Sequence, residues 1–309
     1  MSRPSVERVH GPTSLRVAPV GEASDGAAGR LATVWVRVNR RRMHALTSAA
    51  PPPDGAPTII LVHGVAVSSR YLIPLGEHLA LRSRVYIPDL PGYGRSSCPP
   101  GHDLTVPELT DALVAWMDQI GLARPHFFGN SFGCQVLTDL AVRYPDRVDR
   151  LVLQGPTMDP HARTAWQQCL RWLATALFER PSEMAVLLRD QWDLGPRRTI
   201  AMIQIGLHDP IEARLPRIAA PTLVVRGTYD LIVSQRWAEE ATRLLPRGRL
   251  VVMEGAAHTI NYSQPAWLTD VIWPFLTNRH PDDSTEPTSA GSRSQPPARR
   301  PAGGAAGIV

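Results

Sequence analysis

The sequence contains no lysine: all 33 of its basic residues are arginine. Against 28 acidic residues they leave a formal net charge of +5, but they are scattered, and Arg40-Arg41-Arg42 is the one run of three. Phosphate-backbone binding calls for clustered cations interleaved with aromatics, so nucleic acid is not expected as a partner. Aromatic residues are scarce at 6%, yet 43% of the chain is hydrophobic and 20% charged, a folding rather than a disordered composition. No apolar run approaches the roughly 20 residues that span a bilayer, so no membrane partner is expected either. The start, Met1-Ser2-Arg3-Pro4-Ser5-Val6-Glu7-Arg8, leads into Gly, Ala and Pro rather than an apolar segment, which predicts no secretory leader. The three cysteines, Cys98, Cys134 and Cys169, are odd in number and lack CxxC spacing. They predict reduced, buried thiols, no metal site and a cytoplasmic location.

What is present is a body long enough for one large core. Residues 1–30, rich in Gly, Ala, Pro and charge, predict a loose arm, and the low-complexity stretch 281–309 predicts a disordered tail. Thr33–Val38 and Met43–Leu46 predict a β-hairpin. Thr58-Ile59-Ile60-Leu61-Val62 is a continuous β-branched run of the kind buried on both faces of a parallel sheet. Similar short runs follow at 85–87, 126–128, 151–153, 222–225 and 250–253, with helical stretches such as 109–120 and 132–144 between most of them. Strands alternating with helices predict an α/β fold with a mostly parallel, eight-stranded sheet. Between Leu153 and Thr222 the rhythm breaks. Trp166, Leu170, Leu173 and Leu177 follow helical spacing, as do Met184, Leu187 and Leu188, with prolines at 181, 196, 210 and 216. This predicts a helical cap over 157–216 inserted into a core of 31–156 and 217–280.

Gly129-Asn130-Ser131-Phe132-Gly133 matches G-x-S-x-G, and its context matters more than the match. A strand candidate precedes it and a helix follows, so Ser131 is placed on a sharp strand-to-helix turn with its hydroxyl exposed. A serine needs a base and an orienting carboxylate. Asp230 follows one strand, in Gly227-Thr228-Tyr229-Asp230, and His258 follows the next, in Gly255-Ala256-Ala257-His258. Both fall at the C-terminal edge of the sheet, where ligand sites of open α/β sheets lie. The competing roles are a helix N-cap for Asp230 and an ordinary loop histidine for His258. An oxyanion needs two backbone donors. Phe132 N–H is one candidate; Val65, with Ala66 beside it, supplies the other. His63 and Asp89 are expected to shape loops rather than react.

Five segments carry a family resemblance: His63-Gly64, Asp89-Leu90-Pro91-Gly92-Tyr93-Gly94-Arg95-Ser96, the Ser131 motif, the Asp230 segment and the His258 segment. Over residues 31–280 they resemble the α/β-hydrolase fold superfamily, in its cap-bearing members of the esterase, haloperoxidase and meta-cleavage-product hydrolase kind. The resemblance implies a Ser131–Asp230–His258 triad that cleaves a carboxylic ester or thioester through an acyl-enzyme, without cofactor or metal. Elbow aspartates mark epoxide hydrolases and dehalogenases, and Ser131 departs from them. An alternative is carbon–carbon hydrolysis of ring-fission products; it requires polar groups for a substrate carboxylate, with Arg163, Arg171 and Arg189 as candidates. Trp166, Trp172, Phe178, Met184 and Trp192 are expected mainly as packing residues of the cap, over an apolar cleft for a small to medium substrate. Nothing in the sequence speaks for or against self-association.

Overall fold

A computed structural model describes residues 6–10, 29–38, 41–97 and 103–277. Its strands are β1 (Val6–His10), β2 (Leu31–Val38), β3 (Arg41–Ser48), β4 (Thr58–Val62), β5 (Arg84–Pro88), β6 (His126–Asn130), β7 (Leu151–Gln154), β8 (Thr222–Gly227) and β9 (Gly248–Glu254). Its first helices are α1 (Ile73–Ala80), α2 (Val106–Gln119) and α3 (Phe132–Arg143). Between β7 and β8 lie α4 (Ala165–Ala176), α5 (Pro181–Leu194), α6 (Pro196–His208) and α7 (Ile211–Arg214), with no strand among them. Then come α8 (Gln235–Leu244), α9 (Ile260–Ser263) and α10 (Pro265–Thr277).

The strands form one sheet in the order β1-β9-β8-β7-β6-β4-β5-β3-β2. Only the β2–β3 hairpin and the β3–β5 pair are antiparallel. Alternation explains the continuous apolar runs. In β4, Ile60 and Val62 pack with Leu113 and Trp116 of α2 and Leu137 of α3 on one face. Ile59 and Leu61 pack with Leu75 and Leu79 of α1 and Ile272 of α10 on the other. Successive side chains of a strand covered on both faces must all be apolar, which is what the sequence spells.

The ninth strand corrects the expectation of eight, and of a loose arm throughout 1–30. Val6–His10 pairs in parallel with β9, from Val6 against Leu250 to His10 against Glu254. Four of its five side chains are exposed, so backbone bonding at a sheet edge holds it and no hydrophobic period announces it. The tail 281–309 and Cys98 lie outside the described residues. Cys134 is buried, but Cys169 is exposed, against expectation, because α4 presents it to solvent. Among the described residues no helix is long and apolar enough to cross a membrane.

Candidate active site

Ser131 joins β6 directly to α3 and has φ 55° and ψ −118°. The reversal leaves no room for a side chain at Gly133: a Cβ there would lie 2.4 Å from Val62 O and 2.8 Å from His63 O. Any larger residue would drive α3 off β4. The turn is fixed by Ser131 N–H donating to Gln154 O at 3.0 Å and Cys134 N–H donating to Ser131 O at 3.0 Å. Ser131 is half-buried and lines a cavity, and its hydroxyl makes no hydrogen bond among the described residues. Next to it Phe132 N–H opens α3, where a helix offers its donors no internal partner and favours negative charge.

His258 lines the same cavity. Its Nδ1 lies 2.8 Å from Asp230 Oδ2. The other Asp230 oxygen accepts from Ile232 N–H (3.0 Å) and Val233 N–H (2.9 Å), which ties the carboxylate into its own turn. Asp230 is therefore not the cap of α8; Ser234 is, with its Oγ accepting from Trp237 N–H at 3.1 Å. Because an acceptor faces Nδ1, the proton sits there and Nε2 is left free to take one. Burial works to lower the His258 pKa, but the Asp230 charge and hydrogen bond, with Glu179 and Glu183 beyond, outweigh it and raise the pKa above its ordinary 6.5. Gly155 admits the ring: a Cβ there would stand 2.7 Å from His258 Cε1.

The loop after β4 is organised by His63, which is fully buried. Leu90 N–H donates to its Nε2 at 3.2 Å, so its Nδ1–H donates to Gly64 O at 2.9 Å. Burial lowers its pKa although the Asp89 charge opposes this. A trans peptide holds C=O and N–H on opposite edges, so pinning the Gly64 carbonyl turns Val65 N–H the other way. Gly64 and Val65 line the cavity, and a Cβ on Gly64 would stand 3.4 Å from Ser131 Cβ. Ala66, at φ 57°, is buried and does not line it. Asp89 fastens three segments, accepting from Ser69 N–H (2.7 Å), Arg95 N–H (2.9 Å) and His44 Nδ1 (2.8 Å). Both residues shape loops.

The structure thus gathers Ser131, His258, Asp230, Phe132 and Val65 at the C-terminal ends of β4, β6, β8 and β9. A hydroxyl and an oriented imidazole on one cavity, with backbone N–H groups beside them, are groups that acyl transfer uses. The cavity, with about 620 Å³ of empty space including its mouth, is closed on the other side by the α4–α5 region. Trp172, Ala176, Met184 and Leu187 line it. Trp166, Phe178 and Trp192 do not pack inside; they are 64%, 51% and 87% exposed. Nor do the named arginines reach the cavity. Arg163 pairs with Glu212, and Arg171 with Asp159 at 3.0 Å; Arg189 is not among the lining residues.

Sequence reading missed four groups. Gln154 links the turn that carries Ser131 to the His258 segment, accepting from Asn130 Nδ2 at 2.9 Å and donating to His258 O at 2.5 Å. Thr259 donates its N–H to Glu179 Oε1 at 2.9 Å and its hydroxyl contacts Glu183 Oε2 at 2.6 Å. Glu179 and Glu183 flank a Pro-Ser helix start, a pattern that in sequence alone reads as a solvated first turn. Among the described residues no group of three His, Cys, Asp or Glu is arranged to hold a metal ion.

Comparison with known proteins agrees with this fold. A family model described as alpha/beta hydrolase fold matches residues 57–184, and one described as TAP-like protein matches 191–287. The chain is 28% identical over 246 residues to the "Putative carbamate hydrolase RutD" of Agrobacterium fabrum, covering 72% of this chain and 93% of that protein. It is also 28% identical to a pimeloyl-[acyl-carrier protein] methyl ester esterase of Nitrosomonas europaea, covering 68% and 91%. The crystal structure of an enol-lactonase from Burkholderia xenovorans superposes with TM-score 0.67 at 23% identity, over 79% of this chain and all of that one, a likeness of fold.

Proposed function

The chain belongs to the α/β-hydrolase superfamily, and from that premise we propose that it is a serine hydrolase of carboxylic esters or thioesters. The observation that carries the reading is the Asp230–His258 contact of 2.8 Å facing the cavity that Ser131 also lines. Ser131 Oγ attacks the substrate carbonyl and passes its proton to His258 Nε2. Asp230 holds the imidazole tautomer and balances the imidazolium. Phe132 and Val65 N–H groups hold the oxyanion, and His63 acts through Val65 by pinning the Gly64 carbonyl. His258 returns the proton to the leaving oxygen or sulfur. Water, activated by the same imidazole, then releases the acid. In this reading the helices between β7 and β8 are a cap, and Val65, Val67, Trp172, Ala176, Met184, Leu187 and Ile232 give the substrate an apolar bed.

Two observations favour acyl-oxygen or acyl-sulfur cleavage over carbon–carbon hydrolysis. The three arginines expected to hold a ring-fission carboxylate are engaged elsewhere or absent from the cavity, and the one arginine among the described residues that lines it, Arg180, sits between two acidic lining residues, Glu179 and Glu183. The likeness to a methyl ester esterase and to the "Putative carbamate hydrolase RutD" lends the acyl-transfer reading support.

The test is hydrolysis of p-nitrophenyl esters from acetate to decanoate by the natural protein and by Ser131→Ala. Turnover should fall on the order of 10⁴-fold or more in the variant. Equal turnover in both proteins refutes the triad. If neither cleaves any ester while the natural protein cleaves ring-fission diketones, the carbon–carbon reading replaces this one.

A further inference from the structure

Glu179 precedes α5 and Glu183 lies in its first turn; both line the cavity. They bracket Thr259, the residue after His258. Its hydroxyl is within hydrogen-bond reach of Glu179 Oε2 and of Glu183 Oε2. One hydroxyl hydrogen must be shared between these oxygens, so the crowded pair favours a proton on one carboxyl group when no cation is present. Burial, and after it the Glu179 charge, accordingly push Glu183 up to about 8. Even so the set is incomplete. Glu183 is 1% exposed, and its Oε1 has no hydrogen-bond partner.

An independent orphan lies on another element. Gln154 Nε2 donates to a carbonyl, so Gln154 Oε1 is the acceptor for Asn130 Nδ2, and Asn130 is left with Oδ1. That oxygen is buried, unpartnered and belongs to a cavity-lining residue beside Ser131. Both orphans are acceptors, and a buried acceptor without a donor is costly. The other charged groups lining the cavity are His258 and Arg180; Arg180 is partly exposed and forms no ion pair among the described residues.

We propose that Glu183 and Glu179 form a subsite for a primary ammonium group, so that the substrate is an apolar acyl chain ending in a protonated amine. This rests on reading the cavity as the reaction site. The ammonium supplies the missing donor to Glu183 Oε1, and the proton held on Glu183 leaves to solvent as the cation arrives. Binding therefore releases a proton below pH 8.

Three p-nitrophenyl esters of matched length test this: 6-aminohexanoate, heptanoate and hydrogen adipate. The natural protein should favour the ammonium ester over the neutral one by about tenfold or more in kcat/KM, the carboxylate ester being slowest. Glu183→Gln should bring the ammonium-to-neutral ratio near one, and Glu179→Gln, checked alongside for folding, should lower it. A second measurement needs no turnover: calorimetry of n-hexylammonium, 1-hexanol and hexanoate with Ser131→Ala, in buffers of differing ionisation enthalpy. Hexylammonium should bind tightest and release a proton, and the release should vanish in Ser131→Ala/Glu183→Gln. Hexanoate binding as tightly as hexylammonium, or unchanged discrimination in both Gln variants, overturns the subsite. Proton-releasing hexylammonium binding without turnover of any ester would instead keep the subsite and defeat the hydrolase reading.

Discussion

Ser131 is held where an L side chain is strained: φ 55° with ψ −118° costs on the order of 1–3 kcal/mol, offset by the packing of α3 on β4. Alanine keeps that strain and glycine releases it. Ser131→Gly should therefore be more stable than Ser131→Ala by about 1 kcal/mol, although glycine gains freedom in the unfolded chain, and both should be inactive. Urea denaturation of the pair decides it; a glycine variant less stable than the alanine one argues against strain at the elbow. His258 makes the second residue-scale prediction. Its pKa is raised above 6.5, so kcat/KM should rise with pH through a midpoint above that value as the imidazole becomes neutral. Glu179→Gln removes a negative charge that helps hold the proton, and the midpoint should move down. A profile flat from pH 5 to 9 would remove His258 as the base.

At the scale of elements, the loops matter as much as the strands. The Asp89 carboxylate joins the segment after β5 to β3 through His44 and to the segment after β4 through Ser69. Burial opposes its charge, but the hydrogen bond from His44 and then the His63 charge outweigh burial and keep its pKa below 3.8. Asp89→Asn turns an acceptor oxygen into a donor facing N–H groups, and should cost about 2–4 kcal/mol in chemical denaturation. Loss under about 0.5 kcal/mol would show that the carboxylate is not needed there. The parallel strands were legible because burial on both faces leaves an unbroken apolar run, and the proposed Ser131, Asp230 and His258 set was legible because each member follows the end of a strand, β6, β8 and β9. β1 was not, because an exposed edge strand bonds through backbone. The stripe Trp166, Leu170, Leu173, Leu177 announced α4 correctly but not its surroundings: Leu170, Leu173 and Leu177 are 55%, 52% and 84% exposed. Periodicity reports that a helix has an apolar face, not that something covers it. Gln154 and the Glu179–Glu183 pair were invisible because each acts across more than 75 residues of chain.

For the whole molecule these groups set stability and activity against each other. An unfolded glutamate loses its proton near 4.5, whereas Glu183 holds one up to about 8. Across that window the native state binds more protons than the unfolded state, so stability falls as pH rises. His258 acts in the same sense: its raised pKa contributes stability that is complete below 6.5 and is lost as pH climbs through the folded value. Asp89 has the opposite sign, contributing stability present above 3.8 and lost as pH falls through its depressed value. The three together place the stability maximum between roughly pH 4 and 6. The proposed catalysis through His258 needs the neutral imidazole and should rise on the alkaline side of that maximum. Thermal melts from pH 4 to 9, run beside kcat/KM on one ester, should show Tm falling while activity climbs. Glu183→Gln should flatten the decline in Tm between pH 5 and 8, since a glutamine has no proton to lose. A Tm that rises steadily from pH 5 to 9, or a decline equally steep in Glu183→Gln, would mean that the proton is not stored at the Glu179–Glu183 pair.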